Sequence, residues 1–338
     1  MKKQIIIVIF LNLIWIDMAN SQGYINNEGK IDIAIVRNRT EGPRVMAESG
    51  LKEILIELGC NVKKLSTVKL SPAEDRQYGD WNKEALESKH IGDLIAENNK
   101  NEFFTIGLLD NCTDLLGMLA GLQNMKPQKD QSQKDFRSLQ NSGLAGNKPL
   151  RIGLVWIDAH ADFNTPETSL SGMLGGMPVA IASGMCLTRL RLKTGLDPAL
   201  PSKYVVMSCL RDVDPLEQEL IDRSQIEMIS VQDVRNQSDN INFQIERLSK
   251  LTDIIYIHID MDVLDPEEVA GHPLTAPDGP GSIELAAALK TMFTYEKVAA
   301  LGIASLPHGE NDKDNLSLKA AYRLIVGAIN GVKARRKN

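Results

Sequence analysis

Between residues 31 and 304 the chain alternates short β-branched apolar runs with stretches of helical periodicity, and this alternation restricts the fold more than any other property of the sequence. The runs IDIAIV (31–36), FFTIGLL (103–109), RIGLVWI (151–157), KYVVMS (203–208), IEMISV (226–231), IIYIHI (254–259) and VAALGIA (298–304) have the length of strands. Most are continuously apolar rather than alternating, which marks strands covered on both faces. Helical segments are predicted over 42–59, 115–122, 217–223, 243–251 and 283–293. Such alternation predicts parallel strands joined by crossover helices that shield both sides of one sheet. With 338 residues, 43% hydrophobic and 24% charged, the chain can bury a large core, and a single α/β domain over 30–335 is expected. The polar stretch 126–149 lacks periodicity and is expected to be a surface insertion within that domain.

The first 21 residues differ in kind. Lys2 and Lys3 precede an apolar stretch from Ile5 to Ile16, and Ala19 and Ser21 follow with the spacing of a cleavage site. That pattern predicts a secretory signal peptide, too short to span a bilayer. The protein is then exported, to a periplasm or the medium, if the signal is used, and cytoplasmic otherwise. No other long apolar run occurs, so no membrane association is expected once the leader is removed. Cys60, Cys112, Cys186 and Cys209 are too few and too scattered for a disulfide scaffold. The formal charge of −6, without a basic patch, argues against nucleic acid and for a small-molecule partner.

The chemistry concentrates at the ends of two apolar runs. VWIDAHADFNTP (155–166) sets Asp158, His160 and Asp162 at every second position, so all three project from one side as the strand emerges. IIYIHIDMDVLDP (254–266) repeats the arrangement with Asp260 and Asp262. In open parallel sheets ligands gather beyond the carboxyl ends of the strands. Carboxylates massed there repel one another and lose hydration, so they require a compensating cation. Four aspartates and one histidine suit two divalent metal ions, and oxygen-rich ligands favour manganese. The alternative is that each acid caps a helix or pairs with a basic side chain.

The segments DAHADFNTP (158–166) and HIDMDVLDP (258–266) resemble the two aspartate-rich signatures of the arginase/agmatinase family of ureohydrolases. EGPRVMAESGL (41–51) and LRDVDPLEQ (210–218) also resemble family segments. The resemblance implies a three-layer α/β/α sandwich with an eight-stranded, mostly parallel sheet, two manganese ions, and a trimer or hexamer. It also implies roles. Asp158 and Asp260 would bridge the metals, Asp162 would complete the first site and orient the nucleophilic hydroxide held between the ions, and His160 with Asp262 would complete the second. Asn164 and Ser171 match positions that contact a substrate carboxylate, and Asp214 and Glu217 match acids near its amino group. The implied reaction is hydrolysis of a guanidino C–N bond, as of arginine to urea and an amine.

Three positions depart from that pattern. Cys112 stands where the family has its first metal-binding histidine, and it reads either as a softer thiolate ligand, shifting preference toward zinc or iron, or as a buried structural cysteine. In SGMLGG (171–176) Gly175 replaces a histidine of the family and Met173 an asparagine. Ser305 stands where relatives have a glutamate that clamps the guanidinium, which weakens recognition of a cation. His308 or Glu310 could substitute for that clamp, and His272, in GHPLTAPDG (271–279), is a candidate proton carrier. His258 shares the strand face of Asp260 at a spacing of two and reads either as a support for the site or as a core residue. These departures keep two alternatives open, a formimino-amino-acid or other amidine hydrolase, and a non-catalytic relative with a partial metal site.

Overall fold

The computed structural model describes residues 24–26, 28–98, 103–125 and 149–335. The expected leader (1–21) and all of the polar insertion except Pro149 lie outside these residues. Eight strands form one sheet: β1 (Ile31–Arg37), β2 (Cys60–Thr67), β3 (Phe104–Leu108), β4 (Ile152–Ile157), β5 (Val205–Ser208), β6 (Glu227–Ile229), β7 (Ile254–Asp260) and β8 (Val298–Ala304). Their order is β2-β1-β3-β8-β7-β4-β5-β6, and every pair is parallel. The helices that matter below are α1 (Asp80–Asn98), α2 (Leu115–Gln123), α3 (Pro215–Asp222), α4 (Asp239–Leu251), α5 (Ser282–Met292) and α6 (Leu316–Ala334).

Side chains of successive strand residues point to opposite faces, and each face meets its own helices. On one side Ile33, Ile35, Ile106, Ile257 and Ile303 pack with Ile245 and Leu248 of α4, Leu285 and Leu289 of α5, and Leu324 and Ile325 of α6. On the other, Leu154, Trp156, Tyr256 and Ala300 pack with Ile91 and Ile95 of α1, Leu116 and Leu119 of α2, and Ile221 of α3. The result is the α/β/α sandwich that strand and helix alternation predicts.

Seven strands were expected from apolar runs, and β2 is the eighth. Cys60–Thr67 lies at the sheet edge beside β1, with Lys63 and Lys64 in its middle. Lysines on an edge discourage pairing with another chain but erase the apolar signal. The helix expected over 42–59 is interrupted: Glu41–Met46 and Lys52–Glu57 are separated by a wider turn in which Gly50 takes φ 106°. Helices α1 and α6, both 19 residues long, add to those read from the sequence. Among the described residues no helix is long and apolar enough to cross a membrane.

The topology also locates the site. Although β3 precedes β4 in the chain, β7 and β8 are inserted between them. The carboxyl ends of four neighbouring strands, β3, β8, β7 and β4, therefore open into one crevice where connections leave in different directions, the preferred ligand position in open α/β sheets.

Candidate metal centre

Each of those four strands delivers a functional residue within a few positions of its end. Cys112 follows β3 in a short turn whose cap is Asn111, its side chain accepting a hydrogen bond from the Thr113 amide at 2.8 Å. Asp158 follows β4, Asp260 ends β7 and Ser305 follows β8. The aspartates are held by their own chain: the His160 amide donates to Asp158 Oδ1 at 2.7 Å, and the Asp262 amide donates to Asp260 Oδ1 at 2.9 Å. The two acid clusters thus share one local design, an aspartate bonding the amide two residues on.

Residues far apart in sequence meet here. Cys112 Sγ lies 2.8 Å from Asp260 Oδ2 and 3.8 Å from Asp158 Oδ2. His160 Nδ1 stands 3.3 Å from Asp158 Oδ1 and 3.2 Å from Asp262 Oδ2. Ligands bound at about 2.1 Å to a common ion stand about 3.0 Å apart at right angles and about 4.2 Å apart when opposed. Most of the observed separations fall within that range. Cys112 with Asp158 and Asp260, and Asp158 with His160 and Asp262, form two ligand groups that share Asp158. Asp162 is not part of either group, but its buried carboxylate is close enough to feel the charges of Asp158 and Asp260. It sits at φ 48°, a left-handed conformation that aspartate tolerates.

These four acids have one close imidazole, His160, to offset their charge. Among the described residues no lysine or arginine forms an ion pair with Asp158, Asp162, Asp260 or Asp262. Burial, followed by the charge of Asp262, pushes Asp260 up to about 6, and burial with Asp158 pushes Asp262 up to about 6. Asp158 and Asp162 are raised by burial and by their acidic neighbours. Burial opposes charge on His160, but Asp158 and Asp262 overcome it and raise the imidazole to about 11. Burial, then Asp260, pushes the Cys112 thiol well above its ordinary value. Asp262 Oδ1 is buried without a hydrogen-bond partner. An orphaned carboxylate oxygen among three other buried acids is what a bound cation would satisfy, so the residues present fit a divalent pair.

Around this centre, Arg211 ties the surrounding loops together, donating to the carbonyls of Cys209, Asp262, Ala276 and Pro277 at 2.7–3.1 Å. Its guanidinium is spent on carbonyls rather than carboxylates. Nothing in the sequence distinguished it from its neighbours in LRDVDPLEQ. Asn164 donates to Asp214 Oδ2 at 3.0 Å, while Glu217 accepts from the amides of Phe163 at 2.6 Å and Asp214 at 3.3 Å. These three expected substrate contacts therefore form one network, in which Glu217 fastens the start of α3 to the segment after β4. Ser171 stands apart in an exposed loop, accepting from the Met173 amide at 3.2 Å.

Ser305 does more than mark a missing glutamate. Its hydroxyl donates to Asp260 Oδ2 at 2.5 Å from a left-handed backbone, φ 62°. His258 is a core residue: its ring stacks on Trp156 with centroids 4.5 Å apart, and Nδ1 meets the Tyr256 hydroxyl at 2.9 Å. Burial lowers its pKa to about 3 and keeps it neutral.

This sheet order, with paired acids at the ends of β4 and β7, defines a class of protein, and the chain belongs to the arginase family, whose sequence model matches residues 140–328. It is similar to the arginase of Entamoeba histolytica, 30% identical over 247 residues that span 71% of this chain and 75% of the relative. Its fold matches the crystal structure of arginase from Bacillus cereus with a TM-score of 0.72 at 20% identity, over 88% of this chain and 98% of the other. Formimidoylglutamase from Bacillus subtilis matches with a TM-score of 0.64 at 15% identity, over 93% and 91%.

Proposed function

We propose that this protein is a metal-dependent hydrolase of C–N bonds in linear guanidino or amidino compounds, with arginine-like substrates first among them. The observation that carries this reading is the convergence of Cys112, Asp158, His160, Asp260 and Asp262 into two ligand groups that share Asp158, with no lysine or arginine among the described residues paired to these acids. Two divalent ions, manganese in the first instance, would supply Lewis acidity and an acidified water at neutral pH.

The protein's own groups account for the remaining tasks. Asp158 and Asp260 lie between the two halves of the site and would bridge it. Cys112 and Asp162 would complete one side and His160 and Asp262 the other. Asp162 would orient the attacking water. The Asn164, Asp214 and Glu217 network and Ser171 support recognition of the amino-acid end of a substrate. Its retention favours an amino acid over a decarboxylated amine.

A second reading within the same chemistry is favoured by Ser305. Its hydroxyl is already engaged with Asp260, so this position offers a hydroxyl where the guanidinium clamp has a carboxylate. A less strongly cationic amidine, such as a formimino amino acid, loses less than a guanidinium from that absence. A non-catalytic protein with the same fold is the third outcome to be tested. A homo-oligomer is expected, checked by light scattering of the eluted protein. Export is supported by the pattern of residues 1–21 and checked by mass measurement of the mature N-terminus.

The decisive experiment is metal analysis of purified protein, followed by assays of urea release from arginine, agmatine and guanidinobutyrate and of amidine hydrolysis from a formimino amino acid. Urea from arginine supports the first reading. Bound metal without urea from any guanidino compound refutes it and selects the amidine reading if that substrate turns over, or the non-catalytic one if nothing does.

A further inference from the structure

The centre contains a third group of potential ligands that the two clusters do not explain. His272, in the loop after β7, brings its imidazole to Asp260 and Asp262. Nε2 lies 3.9 Å from Asp260 Oδ1 and Nδ1 lies 3.8 Å from Asp262 Oδ2. Both are too long for hydrogen bonds. The Nε2–Asp260 separation also falls within the range of about 3.0 to 4.2 Å that separates two ligands of one ion. The His272 side chain is 8% exposed, and Asp262, of the same ligand group, carries the buried Oδ1 without a hydrogen-bond partner.

The loop is built to hold the ring there. The His272 amide donates to the Val269 carbonyl at 2.8 Å. Gly271 packs so tightly that a Cβ would stand 1.7 Å from the Asn311 carbonyl oxygen, so only glycine allows this approach. The segment 309–311 thereby supports the turn from behind and fixes the position from which the imidazole reaches inward.

We propose that His272 is a direct ligand of the ion that His160, Asp260 and Asp262 hold, giving that side of the centre two imidazoles. This rests on the metal-dependent reading above. The Leu274 amide donates to Nδ1 at 3.2 Å, which places the proton of the neutral ring on Nε2. Ligation through Nε2 would place the proton on Nδ1, which faces Asp262 Oδ2 across 3.8 Å. The Leu274 amide is released to solvent beside an exposed side chain. A second imidazole, with the Cys112 sulfur on the other side, moves the centre's preference from manganese toward zinc or cobalt.

The test is titration of metal-stripped full-length protein with Zn(II) and with Co(II), comparing wild type, His272→Ala, His272→Gln and Asp260→Ala. In both His272 variants one of the bound ions should lose at least about tenfold in affinity, the lower end of what outer partners of a metal ligand already cost. The visible absorption of the Co(II) protein should change in position and intensity. His272→Gln fills the same space, so a loss shared by both variants is not a packing effect. Zn(II) affinities within about twofold of wild type at every ion, with unaltered Co(II) absorption in both variants, overturn the proposal. If Asp260→Ala still abolishes uptake in that case, the metal-dependent reading stands without His272. Wild-type protein that takes up neither ion overturns both.

Discussion

Stripped of divalent ions, this protein should lose stability as the pH rises from about 4 to 8, the reverse of what well-paired carboxylates produce. Burial, with the charge of Asp262, raises Asp260 from 3.8 to about 6, and burial, with the charge of Asp158, raises Asp262 by the same amount. Between those values the folded protein keeps protons that the unfolded chain has released, so the stability present below about 4 is lost as pH passes through about 6. A shift of about two units corresponds to about 3 kcal/mol for one carboxylate, and to no more than about 6 for the pair, since neighbouring sites do not add fully. His160 acts in the same direction: its contribution is complete below 6.5 and declines as pH rises toward 11. For a chain of this size roughly 2 °C per kcal/mol gives a fall in Tm of roughly 6–12 °C. At pH 7.5 an ion at a thousandfold excess over its Kd should return about 4 kcal/mol. The assay is thermal unfolding from pH 4.5 to 8 with chelator and with Mn(II), in wild type and Asp262→Asn. The substitution removes one of the repelling charges and should flatten the chelator profile while weakening the effect of the ion. Comparing the two proteins cancels acids such as Asp233 and Asp253, whose lowered values act in the opposite sense. A chelator profile that is flat or rising for wild type and unchanged by Asp262→Asn would refute the account of the acids as an uncompensated cluster.

Other outcomes follow from single contacts. Asp260→Ala should abolish metal uptake on both sides of the centre, measured by elemental analysis, because this residue belongs to two ligand groups; unchanged stoichiometry refutes its bridging role. Glu217→Ala should cost about 1–3 kcal/mol by chemical unfolding, because two backbone amides lose their acceptor. Gly302→Ala should destabilise by roughly 2–4 kcal/mol, since its Cβ would lie 2.0 Å from the Tyr256 hydroxyl inside a filled core; a loss under about 0.5 kcal/mol contradicts the packing of β8 against β7.

The central strands and the acid pairs were legible because each obeys a strong local rule. Buried parallel strands read as continuous apolar runs, and Asp158 with His160, or Asp260 with Asp262, keeps the two-residue period that aims both side chains one way. Edge strand β2 was not legible, because Lys63 and Lys64 answer to solvent rather than to the core. Gly50 inside 42–59 shows the same limit, since the helical spacing of Val45, Leu51 and Leu55 continues through a break that only a positive φ reveals. At the site, the meeting of Cys112 with Asp260 depends on strand order, which no local pattern carries. Arg211 holds five carbonyls from three segments, and backbone acceptors leave no trace in sequence. Ser305 was noted only for the glutamate it replaces, whereas its bond to Asp260 arises from the neighbouring ends of β7 and β8.

The insertion of β7 and β8 between β3 and β4 bears on how the protein is made. During synthesis Cys112 and Asp158 leave the ribosome well before Asp260, and the strands they follow cannot yet be neighbours through a filled gap. No nascent fragment ending before residue 260 contains every member of the cage. The cage needs the final quarter of the polypeptide, because β7 and β8 fill the middle of the sheet.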